Sequence, residues 1–472
     1  MNMDIIKICY YPCYKIVDPT DYAHILWNTP YDIINNENNN ACQFYRERNI
    51  KFELQNNQKT PNHNNNHIGR HNQHHNQHHN QHNNQHNNQH HHNHFFPNGN
   101  WNFNHQMGGG NNYNFVNPQK MLHLRGLVNI ASTCYMNSIL QCFSHITELS
   151  DYFKTPKMNQ LAVKNINNKN KIYPVFQEVI INLWNTWDNS PYSPYNFKKR
   201  LGDMNPLFKG AYPNDAKDLL TFLLLKLHEE LNNPIKNNIN NKIINVKDQQ
   251  NKKLMFNKFA QNFINNYKSI ISGLFFGLIY TKVKCSFCKT KYYNYQTFNF
   301  LIFPLEKVLQ YKQSLTNFTS NCNHTVTIED CFKHYQLSST LNNYYCNNCK
   351  HQINCSYTNK ISILPNIIII ILNRGKGLQY KVNISFEHEN LGLKNYVEYC
   401  KDESIYELIG LVTHYGESSA NGHFMARCKS PIDGNWYLYN DQSVTKIGYF
   451  DNKTFAQGTP YILFYKKIRF QK

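Results

Sequence analysis

Long apolar stretches are missing from this chain. The longest, Ile367 to Leu372, is far too short to cross a bilayer and predicts a buried strand. The N-terminus, Met1 to Pro12, has neither a sustained apolar stretch nor a small-residue cleavage site, so it does not read as a secretory signal. Acidic residues are scarce: 30 Asp and Glu stand against 49 Lys and Arg, a net charge of +19. No basic helix or Arg-rich run accompanies that excess. Asn, Lys, Ile and Tyr are abundant together, a mixture that biased codon usage produces, so the charge reads as background and no nucleic-acid or membrane partner is expected. Without a secretory signal, the 14 cysteines are expected in a reducing compartment, the cytoplasm or alternatively the nucleus. There they are free thiols, metal ligands or a nucleophile rather than disulfides.

The 472 residues have room for two or three ordinary domains, or one large one with extensions. Residues 1–55 hold aromatic and aliphatic clusters such as Tyr22 to Trp27 but no assignable chemistry. Residues 56–120 are a low-complexity Asn/His tract that cannot bury enough apolar surface to offset its ordering entropy, and they predict a disordered linker. The globular part spans 121–468. Helices are expected where apolar residues recur at helical spacing. One has Phe176, Val179, Ile180, Leu183 and Trp187 on one face. Another is capped by Asn214, with Asp215 and Asp218 in its first turn and a stripe of Leu220, Leu223, Leu224, Leu227 and Leu231. The Asn/Lys-rich residues 232–268 read as a surface insertion, and strands dominate beyond Ser269.

The chemistry starts in the stretch Gly126 to Phe143. Met136, Ile139, Leu140 and Phe143 share one helical face, so a helix begins near Cys134, with Ser132 or Thr133 as its cap. A cysteine at a helix start sits among unpaired N–H groups at the positive end of the helix dipole, which favours the nucleophilic thiolate. Asn129 lies five residues upstream, close enough for its amide to donate to an oxyanion. By itself, such a cysteine is more often a small core residue. Downstream, Cys285-Ser-Phe-Cys288 and Cys346-Asn-Asn-Cys349 are two knuckles, and together they offer four sulfurs to a closed tetrahedral Zn²⁺ site. Cys322, Cys331 and Cys355 are read as ordinary core or surface thiols.

A strand ending at His414 precedes a second that opens with Gly422-His423, and the chain turns at Pro431 to Gly434 and returns through Trp436 to Asn440. A hairpin centred between Pro431 and Ile432 sets His423 opposite Asn440, with Asp441 next along. His414, at a strand end, reads as structural. His423 has a carboxamide partner able to hold one tautomer, and on this reading it presents Nδ1–H to Asn440 and Nε2 to Cys134. Asp441 stays open as the orienting group, because a bulge at the strand end can turn it inward.

The stretch Gly126-Leu-Val-Asn129-Ile-Ala131-Ser-Thr-Cys134-Tyr-Met-Asn-Ser138 resembles the cysteine box of the ubiquitin-specific proteases, with Ala131 where that family usually has glycine. The segment from Tyr406 through Asp441 resembles its histidine box, with Phe424 for Tyr and Tyr439 for Phe. Pro213 to Leu223 is similar to its acidic box, in which the positions of Asp215 and Asp218 contact the basic tail of ubiquitin. The resemblance implies an α+β, papain-like cysteine protease with a helical thumb, a β palm and zinc-knuckled β fingers at about residues 270–365. It also implies hydrolysis of isopeptide or peptide bonds after the terminal glycine of ubiquitin, with ubiquitin and ubiquitinated proteins as partners. Cys134 is then the nucleophile, His423 the base, Asn440 (or Asp441) its orienter, and Asn129 the oxyanion donor. A catalytically dead ubiquitin-binding scaffold and a zinc-ribbon nucleic-acid binder are the rival classes. The second leaves the Cys/His/Asn set unexplained.

Overall fold

The computed structural model describes residues 124–468, except 156–169, 186–189, 234–245, 316–324, 376–381, 400–403, 417–421 and 449–458. The N-terminal segment and the Asn/His tract lie outside the described residues, as do Trp187 and Cys322.

The helices come first. α1 (Cys134–Ser144) is wholly buried, as its apolar spacing demands. Around it stand α2 (Thr147–Lys154), α3 (Tyr173–Leu183), α4 (Tyr195–Met204) and α5 (Ala216–Leu231). The α3 face of Phe176, Val179, Ile180 and Leu183 is buried, and so are Leu220, Leu223, Leu224 and Leu227 of α5. These helices form the thumb. The cap of α5 is Asp215, not Asn214: the Asp215 carboxylate accepts the Lys217 N–H at 2.9 Å. Thr133 occupies the cap position of α1, but its side chain makes no cap bond to the helix.

A four-stranded antiparallel sheet forms the fingers, in the order β2 (Lys291–Phe298), β1 (Gly277–Cys285), β6 (His351–Ile363), β5 (Ser338–Cys346). The segment expected as fingers is interrupted. β3 (Leu301–Pro304) leaves this sheet to pair in parallel with β7 (Ile367–Asn373). Phe303, Val308 and Phe332 join the core beneath β7, because these apolar side chains bury more completely there than in a thin two-faced sheet. Residues 232–268 are also not simply a surface insertion. Their helix α6 (Lys252–Asn266) buries Met255, Phe256 and Ala260 against Leu278, Tyr280 and Tyr295 of the fingers.

The palm is a large sheet with β13 (Ser443–Ile447), β12 (Trp436–Asn440), β11 (Gly422–Lys429), β10 (Ile405–Gly416), β14 (Thr459–Lys467), β7 and β3 in spatial order. The short β9 (Leu391–Gly392) also pairs with β10, and β4 (Thr325–Thr327) pairs in parallel with β8 (Asn383–Ser385). The run Ile367 to Leu372 is its buried strand, as expected. α1 lies against β11 and β10, where Phe143 packs edge-on to Phe464 of β14. A polar tie fastens the far end of α1 to the palm. The Tyr439 hydroxyl donates to Nε2 of buried His145 at 2.9 Å, while Nδ1–H of that ring donates to the Gln141 carbonyl at 2.8 Å. Burial pulls His145 down to about 4, so it is a neutral member of this tie. The helix that Cys134 opens and the palm sheet that carries His423 are thereby one packed unit. Among the described residues, no helix is long and apolar enough to cross a membrane.

Candidate active site

Cys134 opens α1 with only 6% of its surface exposed. The first-turn N–H groups of a helix lack intrahelical acceptors, and that of Cys134 is among them. The loop before it is strained. Ala131 and Ser132 have φ of 56° and 57°, the left-handed region where a Cβ costs about 1–2 kcal/mol per residue. The glycine expected at position 131 would relieve part of this. The loop holds its shape through Asn129, whose amide oxygen accepts the Thr133 N–H at 2.9 Å, and through Thr133 Oγ1, which accepts the Ile130 N–H at 2.8 Å.

His423 stands on β11, and its Nε2 lies 2.7 Å from Oδ1 of Asn440. An amide oxygen only accepts, so Nε2 carries the proton. Cys134 is the other group that acts on the imidazole, and Nδ1 is the ring nitrogen not engaged by Asn440. The atoms are therefore the reverse of those expected from sequence. The register differs too. β11 and β12 pair as Ala426↔Tyr439 and Lys429↔Trp436, so the turn is centred one residue later and His423 is not directly opposite Asn440. A two-residue shift preserves the face, because strand side chains alternate with period two. Asn440 consequently reaches His423 diagonally.

The bond to Cys134 raises His423 most; burial opposes it, and Asn440 and the charges of Cys134 and Asp441 add to the rise, to about 9. Asp441 is the neighbour whose role sequence left open. Its φ is 50°, so the chain bends and brings the carboxylate inward. There it stays 3.9 Å from Nε2 of His423, beyond hydrogen-bond range. Its oxygens instead accept from Nδ2 of Asn129 at 2.7 Å and Nδ2 of Asn137 at 2.8 Å.

Two glycines explain how loop and sheet approach so closely. A Cβ on Gly126 would overlap the backbone carbonyl of Gln442, just where Leu127 N–H donates to Asp441 O at 2.8 Å. A Cβ on Gly422 would overlap the buried ring of His414, which is structural as expected. Both glycines were visible in the sequence, but only the close approach gives each its reason.

Asp215 is more committed than the acidic-box likeness implies. Besides capping α5, it accepts the buried Tyr461 hydroxyl at 2.9 Å on each oxygen, and Lys217 Nζ lies 3.8 Å away. Asp218 lies in the first turn of α5. Tyr461, on β14, was missed; it lies 246 residues from Asp215, and no local pattern couples the two.

At the tip of the fingers, the sulfurs of Cys285, Cys288, Cys346 and Cys349 all lie within 4.8 Å of one another. The Cys285–Cys349 and Cys288–Cys346 separations are both 3.7 Å. Thiolates about 2.3 Å from a tetrahedral ion are spaced about 3.8 Å apart, so this group could hold a metal ion. Cys355 faces Cys285 across β1 and β6 but is not a member of the four, and Cys331 is core.

A profile of the family described as "Ubiquitin carboxyl-terminal hydrolase" matches residues 125–465. Ubiquitin carboxyl-terminal hydrolase 2 of Bos taurus is 26% identical over 366 residues, covering 74% of this chain and 56% of that protein. Usp2 of Drosophila melanogaster is 25% identical, covering 74% of this chain and 35% of its own length. The chain thus spans about half the length, or less, of these curated relatives. In fold it is similar to the yeast SAGA DUB module with Ubp8, solved bound to monoubiquitin: TM-score 0.55, 20% identity, 75% of this chain and 71% of that one. The same module bound to ubiquitin aldehyde gives TM-score 0.54 at 22% identity over 75% and 71% of the two chains. Cys134, His423 and the four knuckle cysteines all fall within the matched residues, and the chain belongs to the ubiquitin carboxyl-terminal hydrolase family.

Proposed function

We propose that this chain is a thiol-dependent deubiquitinase that hydrolyses isopeptide or peptide bonds after the C-terminal glycine of ubiquitin. The carrying observation is the relay Cys134–His423–Asn440, with the Asn129 amide beside it. Cys134 Sγ attacks the glycine carbonyl, and its proton resides on Nδ1 of His423. Asn440 keeps the ring in register through Nε2. The tetrahedral oxyanion is met by Asn129 and the N–H of Cys134. His423 then protonates the leaving amine, a thioester forms, and water activated by the neutral ring releases ubiquitin and frees Cys134.

The four knuckle cysteines hold Zn²⁺ in this reading. The fingers around them have a small core of tyrosines and cysteines, with Val283 the only other fully buried member, so the ion supplies folding energy rather than chemistry. Residues 121–468 form the catalytic domain, and the preceding Asn/His tract is a linker. The setting in this reading is the cytoplasm or nucleus, where a reducing environment keeps cysteines available as nucleophile and metal ligands. Ubiquitin aldehyde and monoubiquitin bound to the structural neighbours support ubiquitin as partner.

A second reading, a ubiquitin-binding scaffold without turnover, is favoured by the strained Ala131 in the oxyanion loop. A ubiquitin C-terminal fluorogenic substrate separates the two. Turnover by the wild-type chain and none by Cys134→Ala supports the enzyme; binding without turnover in both supports the scaffold.

A further inference from the structure

We propose that Asn137, one helical turn beyond the nucleophile, is a positioning residue that aims the oxyanion donor; this rests on the hydrolase reading above. The amide of Asn129 is almost fully committed. Its oxygen accepts from the Thr133 N–H at 2.9 Å and from the Thr133 hydroxyl at 3.3 Å, which decides which end of the amide is nitrogen. One of its two N–H bonds goes to Oδ2 of Asp441 at 2.7 Å. A carboxamide nitrogen carries two hydrogens, so a single N–H remains for a developing oxyanion. Its direction follows from where Asp441 sits.

Asn137 holds that carboxylate from the other side, donating Nδ2 to Oδ1 of Asp441 at 2.8 Å. The same nitrogen lies 3.4 Å from the Leu127 carbonyl and 3.3 Å from that of Val128, the two residues that lead into Asn129. One side chain therefore braces both the segment carrying the oxyanion donor and the carboxylate that orients it. Simple helix packing does not explain the choice of residue. Asn137 is 2% exposed, and its own amide oxygen has no hydrogen-bond partner among the described residues. An apolar side chain of similar size would avoid burying that oxygen. What Asn137 contributes is its nitrogen.

The test compares two reactions of the same thiol in Asn137→Leu, which keeps the volume, and in Asn137→Ser, a smaller and gentler change. Hydrolysis of a ubiquitin C-terminal fluorogenic amide passes through an oxyanion; alkylation of Cys134 by iodoacetamide displaces iodide and forms none. The expected result is a loss of about 10- to 100-fold in kcat with KM held within about threefold. The alkylation rate and its pH profile should match the wild-type chain. In an Asn129→Ala background the same substitution should cost less than about threefold more, because both residues act through one donor. Alkylation that falls in parallel with hydrolysis in both variants overturns the inference, since the helix itself would then be disturbed. Losses that multiply in the double variant, or wild-type kcat in both single variants, overturn it as well. A wild-type chain that is alkylated at Cys134 yet hydrolyses no ubiquitin substrate instead overturns the hydrolase reading, and the inference with it.

Discussion

Nε2 of His423 lies 2.7 Å from the side-chain oxygen of Asn440, so Nδ1, not Nε2, is the ring nitrogen left for Cys134. This leaves Asp441, 3.9 Å from the same nitrogen, outside the orienting bond. Asn440→Ala should lower kcat by about 10- to 100-fold, less than the roughly 10²- to 10⁴-fold of a full acid–base group, because Asn440 acts only through His423. Asn440→Asp should stay active, because an acceptor remains. Steady-state kinetics on a ubiquitin substrate checks both. A near-wild-type Asn440→Ala would move the orienting role to Asp441.

The pH response follows from the same ring. His423 titrates at about 9 in the fold, against about 6.5 when unperturbed. A raised value means that protonation favours the folded state. The stabilisation is complete below about 6.5 and fades as pH rises through about 9. Its largest cause is the Cys134 bond, so Cys134→Ala should bring the imidazole titration, followed by NMR, down towards its unperturbed range. An unchanged value would mean that Cys134 does not touch the ring. The wild-type kcat profile should carry an alkaline limb near 9, where the imidazolium that protonates the leaving amine is lost.

Ala131, at φ 56°, should accept glycine with profit. Ala131→Gly removes a left-handed Cβ and should raise unfolding free energy by about 1 kcal/mol, read by denaturant titration. Turnover should hold or rise. A destabilised variant would show that the loop draws more from the Ala131 methyl than it loses to strain.

Elemental analysis should find one zinc per chain, with Cys288→Ser and Cys349→Ser losing it. Chelation should lower thermal stability before it touches the isolated Cys134–His423 chemistry, because the sulfurs brace the fingers and lie on different elements from the thiol site. Active, stable protein without zinc would refute this.

A chain starting at Met121 should express in soluble form and keep most of its turnover, since the Asn/His tract has too little apolar content to build core. Loss of activity by more than about an order of magnitude would give residues 1–120 a structural part.

Local spacing carried much of this protein in the sequence alone. The apolar repeat after Cys134 requires a buried helix, and the structure has α1 wholly buried. Two C-x-x-C pairs announce a four-sulfur group, and the structure brings those sulfurs together. The run Ile367 to Leu372 could only be an interior strand. What the tertiary structure decided lies where partners are far apart in the chain. The hairpin turned one residue later than its local midpoint suggested, and only strand alternation kept Asn440 on the face of His423. The left-handed bend at Asp441 brought its carboxylate inward but bonded it to amides 312 and 304 residues upstream, not to His423. Asp215 found Tyr461 across 246 residues, and Asn137 found the Asp441 carboxylate across 304. Helical and strand periods are set by backbone geometry within a few residues, so sequence records them directly. A buried hydrogen bond between distant segments depends on how whole layers pack, and no short window of sequence contains that.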